Sequence, residues 1–185
     1  MEWVKLSLEQ QLKHAKSREA EERVAFSSYP VLPVVADYMV GHEKDKRIIE
    51  TVFRNLFEKP NSDIWASTLA KAARVKVEVA GVSEYDNALT NIALHLNTDI
   101  ETLEYLFTLN NHHVNWGLAC NPNTPKAMLD KLSEIDEFNL DEALLYNPNT
   151  CEETKNKIWA RYKNGFFSVG YFYDLKHIEV VASGN

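Results

Sequence analysis

Apolar residues recur along this chain with the 3.6-residue period of amphipathic α-helices. Between residues 46 and 57, for example, isoleucine, valine, leucine and phenylalanine lie on one helical face and the charged residues on the other. Arg74 to Val79 alternates valine with charged residues as a strand would, but no partner strand is near, so we expect it to continue a helix. The pattern predicts an all-α protein. Its expected helices are Ser7–Phe26, Pro33–Val40, Lys46–Phe57 and Tyr85–Leu94, with others beginning at Ser62, Thr98, Thr124 and Thr150.

Residues with known preferences for helix ends stand at most of these boundaries. Serine and threonine satisfy the first free amides of a helix, and proline at the first helical position loses nothing. A threonine followed three residues later by glutamate forms a capping box. The expected signals are N-caps at Ser7 and Ser62, a stop at Gly41, proline in first position for Pro33 and Pro125, and capping boxes in Thr98–Glu101 and Thr150–Glu153.

A short turn sequence recurs at a fixed spacing. Asn-Pro-Asn-Thr at 121–124 returns at 147–150, 26 residues later, and each copy lies between two helix-like segments. A fixed period of this kind is the signature of stacked helical repeats, whose equivalent apolar positions pack against neighbouring repeats. The apolar columns in this register are Leu106, Leu132 and Ile158; Leu103 and Leu129; Ile92, Leu118 and Leu144; and Ala88, Val114 and Leu140.

Weaker copies of the turn extend the array toward the N-terminus. We identify them at 29–33 and 59–63, which gives about five helix pairs in a single domain over 1–185. Within it, 1–80 holds degenerate repeats, 81–162 the regular 26-residue repeats, and 163–185 a C-terminal cap. The cap is expected to cover the last repeat with an aromatic cluster made of Phe166, Phe167, Tyr171, Phe172 and Tyr173.

The two regular turns and the paired leucines after them resemble the leucine-rich repeat variant family and, more broadly, HEAT-like α-solenoids. The resemblance covers about residues 81–160. It implies a right-handed superhelix and says almost nothing about activity. Some members of that family carry a cysteine-rich iron–sulfur segment, but the two cysteines of this chain do not supply one.

Charge is unevenly distributed. Residues 1–60 carry ten basic and ten acidic side chains, whereas residues 81–154 carry two basic and thirteen acidic ones. Such a segment disfavours direct contact with nucleic-acid phosphates. It is either a solvated acidic surface or a surface for a basic protein partner. No apolar run is long enough for a membrane span, and two cysteines make no disulfide framework, so we expect a cytoplasmic protein.

No arrangement of reactive residues predicts catalysis, a cofactor or a metal site. We expect Cys120 to be a buried small hydrophobe, and Cys151 to be an exposed, unreactive thiol at the start of a helix. His112 and His113 match no strong zinc spacing. The carboxylates at 136, 137, 141 and 142 lie together on one polar segment, which is typical of a solvated face.

The repeat register does select a candidate binding surface. Position 113 aligns with Asn87 and Asn139, and position 116 aligns with Thr90 and Glu142. Because Trp116 stands where other repeats have polar residues, we expect it to be exposed as an interaction hot spot, the alternative being that it packs on a neighbouring repeat. The predicted partner-binding residues are His112, His113, Asn115, Trp116, Asn139, Asp141 and Glu142.

These observations favour a non-catalytic helical-repeat scaffold that binds another protein, expected to be basic, through an acidic face. A second hypothesis is a DNA-binding or DNA-repair protein, similar to the alkylpurine DNA glycosylases built on HEAT-like repeats, in which only the N-terminal third could supply a basic groove. A third is that the acidic face imitates nucleic acid and blocks a DNA-binding protein.

Overall fold

The computed structural model describes residues 6–162, and these residues form eleven α-helices. The helices are α1 (Leu8–Ala15), α2 (Ala20–Ser27), α3 (Pro33–His42), α4 (Ile49–Leu56), α5 (Ala66–Ala80), α6 (Asn87–Leu94), α7 (Ile100–Thr108), α8 (His112–Cys120), α9 (Lys126–Leu132), α10 (Phe138–Tyr146) and α11 (Glu152–Tyr162). The predicted aromatic cluster, and the rest of the cap, lie outside the described residues. The all-α prediction is confirmed.

The helices pack in sequence order, as repeats do. Helices α2, α4, α6, α8 and α10 stack on one another in one row, and α1, α3, α5 and α7 form a second row against it. The core lies between the two rows. All the apolar columns predicted from the 26-residue register are fully buried. This arrangement is consistent with a repeat-like array in which each repeat covers the apolar face of its neighbour.

The N-terminal region differs from the prediction. Instead of one helix over Ser7–Phe26, the chain breaks between α1 and α2, although Ser7 caps α1 as expected through a capping box with Gln10. Arg23 stabilises the break, because its guanidinium donates to the carbonyl oxygens of Ser17 and Arg18. Carbonyl oxygens at a helix end have no partner within the helix and need a donor from elsewhere. Here the donor is a side chain of the next helix, α2.

Two of the expected boundary signals near α3 and α5 are wrong. Helix α3 continues through Gly41 to His42, and α5 begins after Trp65 instead of at Ser62. Pro33 does take the first position of α3. The segment Arg74–Val79 belongs to α5, so the preference for helix over strand there is confirmed.

The predicted threonine caps are also wrong. Asp99, not Thr98, caps α7 by accepting the amide of Thr102. Thr98 instead donates its hydroxyl to the carbonyl of Ile92, at 2.6 Å. Thr124 and the carbonyl of Leu118 repeat this bond at 2.6 Å. The hydroxyls face back toward the preceding helix, where buried carbonyls need donors.

The remaining helix starts also differ from the predicted ones. Pro125 is the residue before α9, not its first helical residue. Thr150 is buried and its hydroxyl has no hydrogen-bond partner among the described residues. The glutamates expected in the capping boxes bind cations instead: Glu101 pairs with Arg74 and Glu153 with Lys157.

The recurring turn connects neighbouring repeats through side-chain hydrogen bonds. The side-chain amide of Asn121 donates to the carbonyls of Ala93 and His95, at 2.7 and 3.1 Å. One repeat later, the amide of Asn147 donates to the carbonyls of Ala119 and Asn121, at 2.7 and 2.8 Å. Both asparagines are buried. Each turn is therefore tied to the turn 26 residues before it.

The second asparagine of each turn adds an outer bond of the same kind. Asn123 donates to the carbonyl of Leu96, and Asn149 to the carbonyl of Pro122, both at 2.6 Å. Asn97, in the equivalent position one repeat earlier, donates to the carbonyl of Ile64 at 2.8 Å. These side chains are exposed, so water competes for the same carbonyls.

A buried charged cluster joins the middle helices. The ammonium of Lys76 on α5 contacts Asp86 at 2.7 Å and the carbonyl of Gly81 at 2.8 Å. Glu50 of α4 lies 3.1 Å from the same ammonium. Asp86 also caps α6 through the amide of Leu89. Removing one member would leave an uncompensated buried charge, so the cluster fixes how α4, α5 and α6 meet.

Candidate functional site

The predicted binding residues lie on α8 and α10. These helices stack beside α6, so the outward-facing side chains of all three form one continuous face, which we call the α6–α8–α10 face. It consists of Asn87, His112, His113, Trp116, Phe138, Asn139 and Glu142 together with Tyr85, which immediately precedes α6.

Two predicted residues are buried instead of exposed. Asn115 is buried, and Asp141 is 1% exposed. Asp141 forms an ion pair with Arg161 at 2.9 Å and accepts the hydroxyl of Tyr162 at 2.7 Å. Burial raises the pKa of the Asp141 carboxyl above its usual value, although both partners oppose that shift. The expectation of a solvated face at this position is therefore wrong, because Asp141 ties α10 to α11.

Trp116 is partly buried and packs against the core. The ring is less exposed than predicted, and the alternative of packing describes its position better, whereas its role as a hot spot stays a prediction. Trp116 is therefore a partly exposed member of the face.

Rings and a carboxylate cross this face in an unbroken line. The Tyr85 ring lies 4.8 Å from the His113 ring, measured between centroids. His113 meets His112 edge to face at 5.1 Å. The Nδ1 atom of His112 lies 2.7 Å from a carboxylate oxygen of Glu137. Phe138 follows Glu137 directly. The line joins the starts of α6, α8 and α10.

The two ends of this line are apolar and open. Tyr85 is 64% exposed and Phe138 is 48% exposed. Phe138 touches Tyr162 only edge on, with ring centroids 6.0 Å apart. Large exposed rings are unusual enough on a globular surface to indicate an interaction site when they are grouped.

The polar members of the face surround these rings. Asn139 is exposed, and Glu142 lies one helical turn after Phe138. Partial burial raises the pKa of Glu142 above its usual value. Glu84 and Asp136, next to the ends of the line, carry no ion pair within residues 6–162. The face therefore combines aromatic rings with free carboxylates.

Most of the other carboxylates between 81 and 154 are occupied. Asp86 binds Lys76, Glu101 binds Arg74, and Asp141 binds Arg161. Several of these cations come from outside the acidic segment, so the charge of the segment overstates the negative charge of the folded surface. Glu84, Asp136 and Glu142 near the ring line have no ion pair in the described part of the chain, and neither does Glu104 on α7, in the other row.

The cysteines behave differently from each other. Cys120 is buried as predicted, and burial raises the pKa of its thiol to about 12. Cys151 is half-buried, which differs from the expected exposure, and a hydrogen bond with Thr154 lowers its pKa. In the described part of the chain, no group of three or more His, Cys, Asp or Glu side chains could hold a metal ion.

Tyr85 and Phe138 were missed by the sequence analysis. Phe138 shares the register of His112, and Tyr85 directly precedes that position one repeat earlier. An aromatic residue at a polar position of the register indicates an exposed ring, and Phe138 carries this signal just as Trp116 does.

Comparison with known proteins gives no further assignment. No protein-family model matches the chain, and no curated protein and no solved structure matches it. Among residues 6–162, no helix is long and apolar enough to cross a membrane.

Proposed function

We propose that this chain is a non-catalytic helical-repeat scaffold that binds a basic segment of another protein across the α6–α8–α10 face. In this proposal the array is a right-handed solenoid of about five helix pairs, of the leucine-rich repeat variant or HEAT-like kind. The cytoplasmic location expected from the sequence stays a prediction.

The observation that carries the proposal is the line of exposed rings flanked by free carboxylates. Tyr85 and Phe138 present aromatic surface at its two ends, and Glu84, Asp136 and Glu142 supply negative charge beside them. Aromatic faces and carboxylates both attract lysine and arginine side chains, and the two contributions act together on one cation. A basic peptide lying across the three helices would satisfy both.

The charged residues that form buried ion pairs join helices to one another, which favours a scaffold over an enzyme. Lys76, Asp86, Asp141 and Arg161 all hold one helix against another. Catalytic groups are normally aimed into a cleft with perturbed pKa values that suit proton transfer. The ionisable groups of this core have structural partners instead.

No feature of the α6–α8–α10 face specifically favours either alternative, DNA binding or nucleic-acid mimicry. Free carboxylates beside the rings disfavour contact with phosphates. A nucleic-acid mimic would use the same negative charge, but grouped rings are not required for it. A gel shift with duplex DNA at low salt tests the DNA-binding hypothesis directly, since the proposed scaffold leaves the duplex unshifted.

A peptide-binding experiment tests the proposal. The probe is a labelled peptide alternating arginine and lysine with small apolar residues, and a glutamate version of it serves as a charge control. Replacing both rings, Tyr85→Ala with Phe138→Ala, should weaken binding of the basic peptide about tenfold or more by fluorescence anisotropy. Added salt should weaken it further.

The matched control is Ile100→Ala, because Ile100 is a large apolar residue, 55% exposed, on α7 in the other row. Its variant should bind the basic peptide like the parent chain. Equal binding of both peptides, or an equal loss in both variants, would show that the α6–α8–α10 face is not the binding site.

A further inference from the structure

A cavity of about 380 Å³ opens at the other end of the array, between α1, α3 and the loop that follows α3. It lies away from the α6–α8–α10 face, so nothing proposed for that face depends on it. Its walls include Lys16, Tyr38, His42 and Lys44. The volume is within the range of about 300–1,000 Å³ that is usual for small-molecule sites.

Both carboxylates in the cavity wall are already neutralised. Glu43 accepts two bonds from the guanidinium of Arg23, and it accepts the backbone amides of Lys44 and Asp45 at 3.0 Å each. Asp45 is bound by Arg47, and that contact lowers the pKa of its carboxyl to about 2. Neither acid is free to attract a cation into the cavity or to repel an anion from it.

The cavity wall holds two ammonium groups that form no ion pair with a carboxylate of residues 6–162. The ammonium of Lys16 lies 5.3 Å from the centre of the Tyr38 ring, a contact that positions it without neutralising it. Lys44 is exposed beside Glu43 and forms no ion pair there. The local balance in the cavity is therefore positive, although the whole chain is acidic.

An aromatic surface lines the same cavity. The rings of Tyr38 and His42 stack at 4.0 Å, inclined by 14°. The Nδ1 atom of His42 lies 2.8 Å from the carbonyl of Tyr38, which holds the imidazole in this orientation. Two ammonium groups and a flat wall of rings are suited to an anion attached to a small organic body.

We propose that this cavity binds the phosphate group of a small molecule, with Lys16 and Lys44 as its ligands. Ammonium groups bind phosphate as compact positive charges with several donors. Arg23 has a supporting role, because its donors are used by Glu43 and by the chain break between α1 and α2. Inorganic phosphate and phosphate esters offer the same group, so the experiment compares them.

The test follows backbone amide shifts of the ¹⁵N-labelled chain during titration. The ligands are inorganic phosphate, glycerol 3-phosphate and adenosine monophosphate, each against sodium chloride at equal ionic strength. Saturable shifts confined to residues near 16 and 44 are expected with at least one phosphate compound. The compound that binds most tightly identifies the source of the group.

Two variants with the same loss of charge separate a site from general attraction. Lys16→Gln with Lys44→Gln should weaken binding about tenfold or more, since each ammonium contributes a charge-assisted hydrogen bond. Lys13→Gln with Lys46→Gln changes the same two segments outside the cavity wall and should leave binding unchanged. The absence of saturable shifts, shifts equal to those in chloride, or equal losses in both variants would each overturn the proposal.

Discussion

At position 95 a histidine takes the place that asparagine has in the later turns. Its Nδ1 atom accepts the amide of Asn97 at 3.1 Å, as the side-chain oxygen of Asn121 accepts the amide of Asn123 at 2.8 Å. Because Nδ1 is an acceptor, the proton is on Nε2, which lies 2.8 Å from the hydroxyl of Ser62. The imidazole is therefore neutral, with the same pattern of one acceptor and one donor.

The histidine at this position makes the stability of the fold depend on acidic pH. Burial lowers the pKa of His95 to about 4, from about 6.5 in the unfolded chain. Between these values the unfolded chain binds a proton that the folded chain does not, so stability falls as the pH falls through this window. From pH 7 to pH 4.5 the loss due to His95 should be roughly 2–3 kcal/mol.

Replacing His95→Asn should remove that part of the loss, because asparagine fills the equivalent position at 121 and 147 without titrating. The measurement is urea unfolding of both chains at pH 7 and pH 4.5. The difference between the two pH values should be smaller in the variant. Equal differences would mean that His95 does not resist protonation in the folded state.

Local rules identified the turn residues but not their partners. Cap rules consider amides within a few residues, so they predict a helix start at Thr124 and no distant partner for Asn121. The actual acceptors of Asn121 are carbonyls 26 and 28 residues earlier in the chain. These acceptors belong to the preceding repeat, so the sequence of one repeat alone does not predict the bond.

At the scale of elements, one close contact fixes how α8 lies on α6. A Cβ atom added to Gly117 would come within 2.9 Å of the carbonyl oxygen of Thr90 and 3.1 Å of the Cβ of Ala93. The obstacle is helix backbone, which moves only with the whole helix. Glycine at this position allows the closest approach of the two helices.

Gly117→Ala should therefore lower the free energy of unfolding by roughly 1–3 kcal/mol, despite the higher helix propensity of alanine. Gly41→Ala is the matched control. The added atom there would meet only the flexible end of Lys71, so that variant should be unchanged or gain up to about 1 kcal/mol. Thermal unfolding followed by circular dichroism compares the two, and a stable Gly117 variant would show that α8 can shift at no cost.

Helix positions followed from apolar periodicity wherever one face was buried. The columns through Leu106 and Ile92 were correct because stacked helices bury the same register position in each repeat. The break between α1 and α2 was not predictable in this way. Its stabilising group, Arg23, follows the break, and its partner Glu43 lies beyond another helix.

At the scale of the whole molecule, the repeat register predicted which helices form one face but not which side chains are open on it. Asp141 was expected on the surface because it is charged. It is buried because Arg161, in the next helix, supplies the opposite charge. Pairing between elements is set by the assembled fold, and sequence spacing does not encode it.

Removing one full repeat should leave a folded protein. Deleting residues 123–148 joins Pro122 to Asn149 and restores the Asn-Pro-Asn-Thr turn, in which Asn149 takes the place of Asn123 beside the carbonyl of Leu96. The shortened chain should keep its helical signal per residue and unfold cooperatively at a lower temperature, because fewer repeats are stacked.

Deleting 123–147 instead, one residue fewer, is the control for register. It joins Pro122 to Pro148 and shifts α11 by one residue, which turns its apolar face by about 100°. That chain should lose helical signal or cooperativity in circular dichroism. Similar behaviour of the two deletions would mean that the turn does not set the stacking.

The bonds between successive turns also determine how the array responds to force. Each buried asparagine ties its turn to the preceding one, so a pull on the two ends loads these ties in series and they break one after another. Extension should then proceed in steps, with each released unit adding roughly 90 Å of contour length, the span of 26 extended residues. The molecule would lengthen under force in equal steps, and the spacing of its asparagines would set the length of each step.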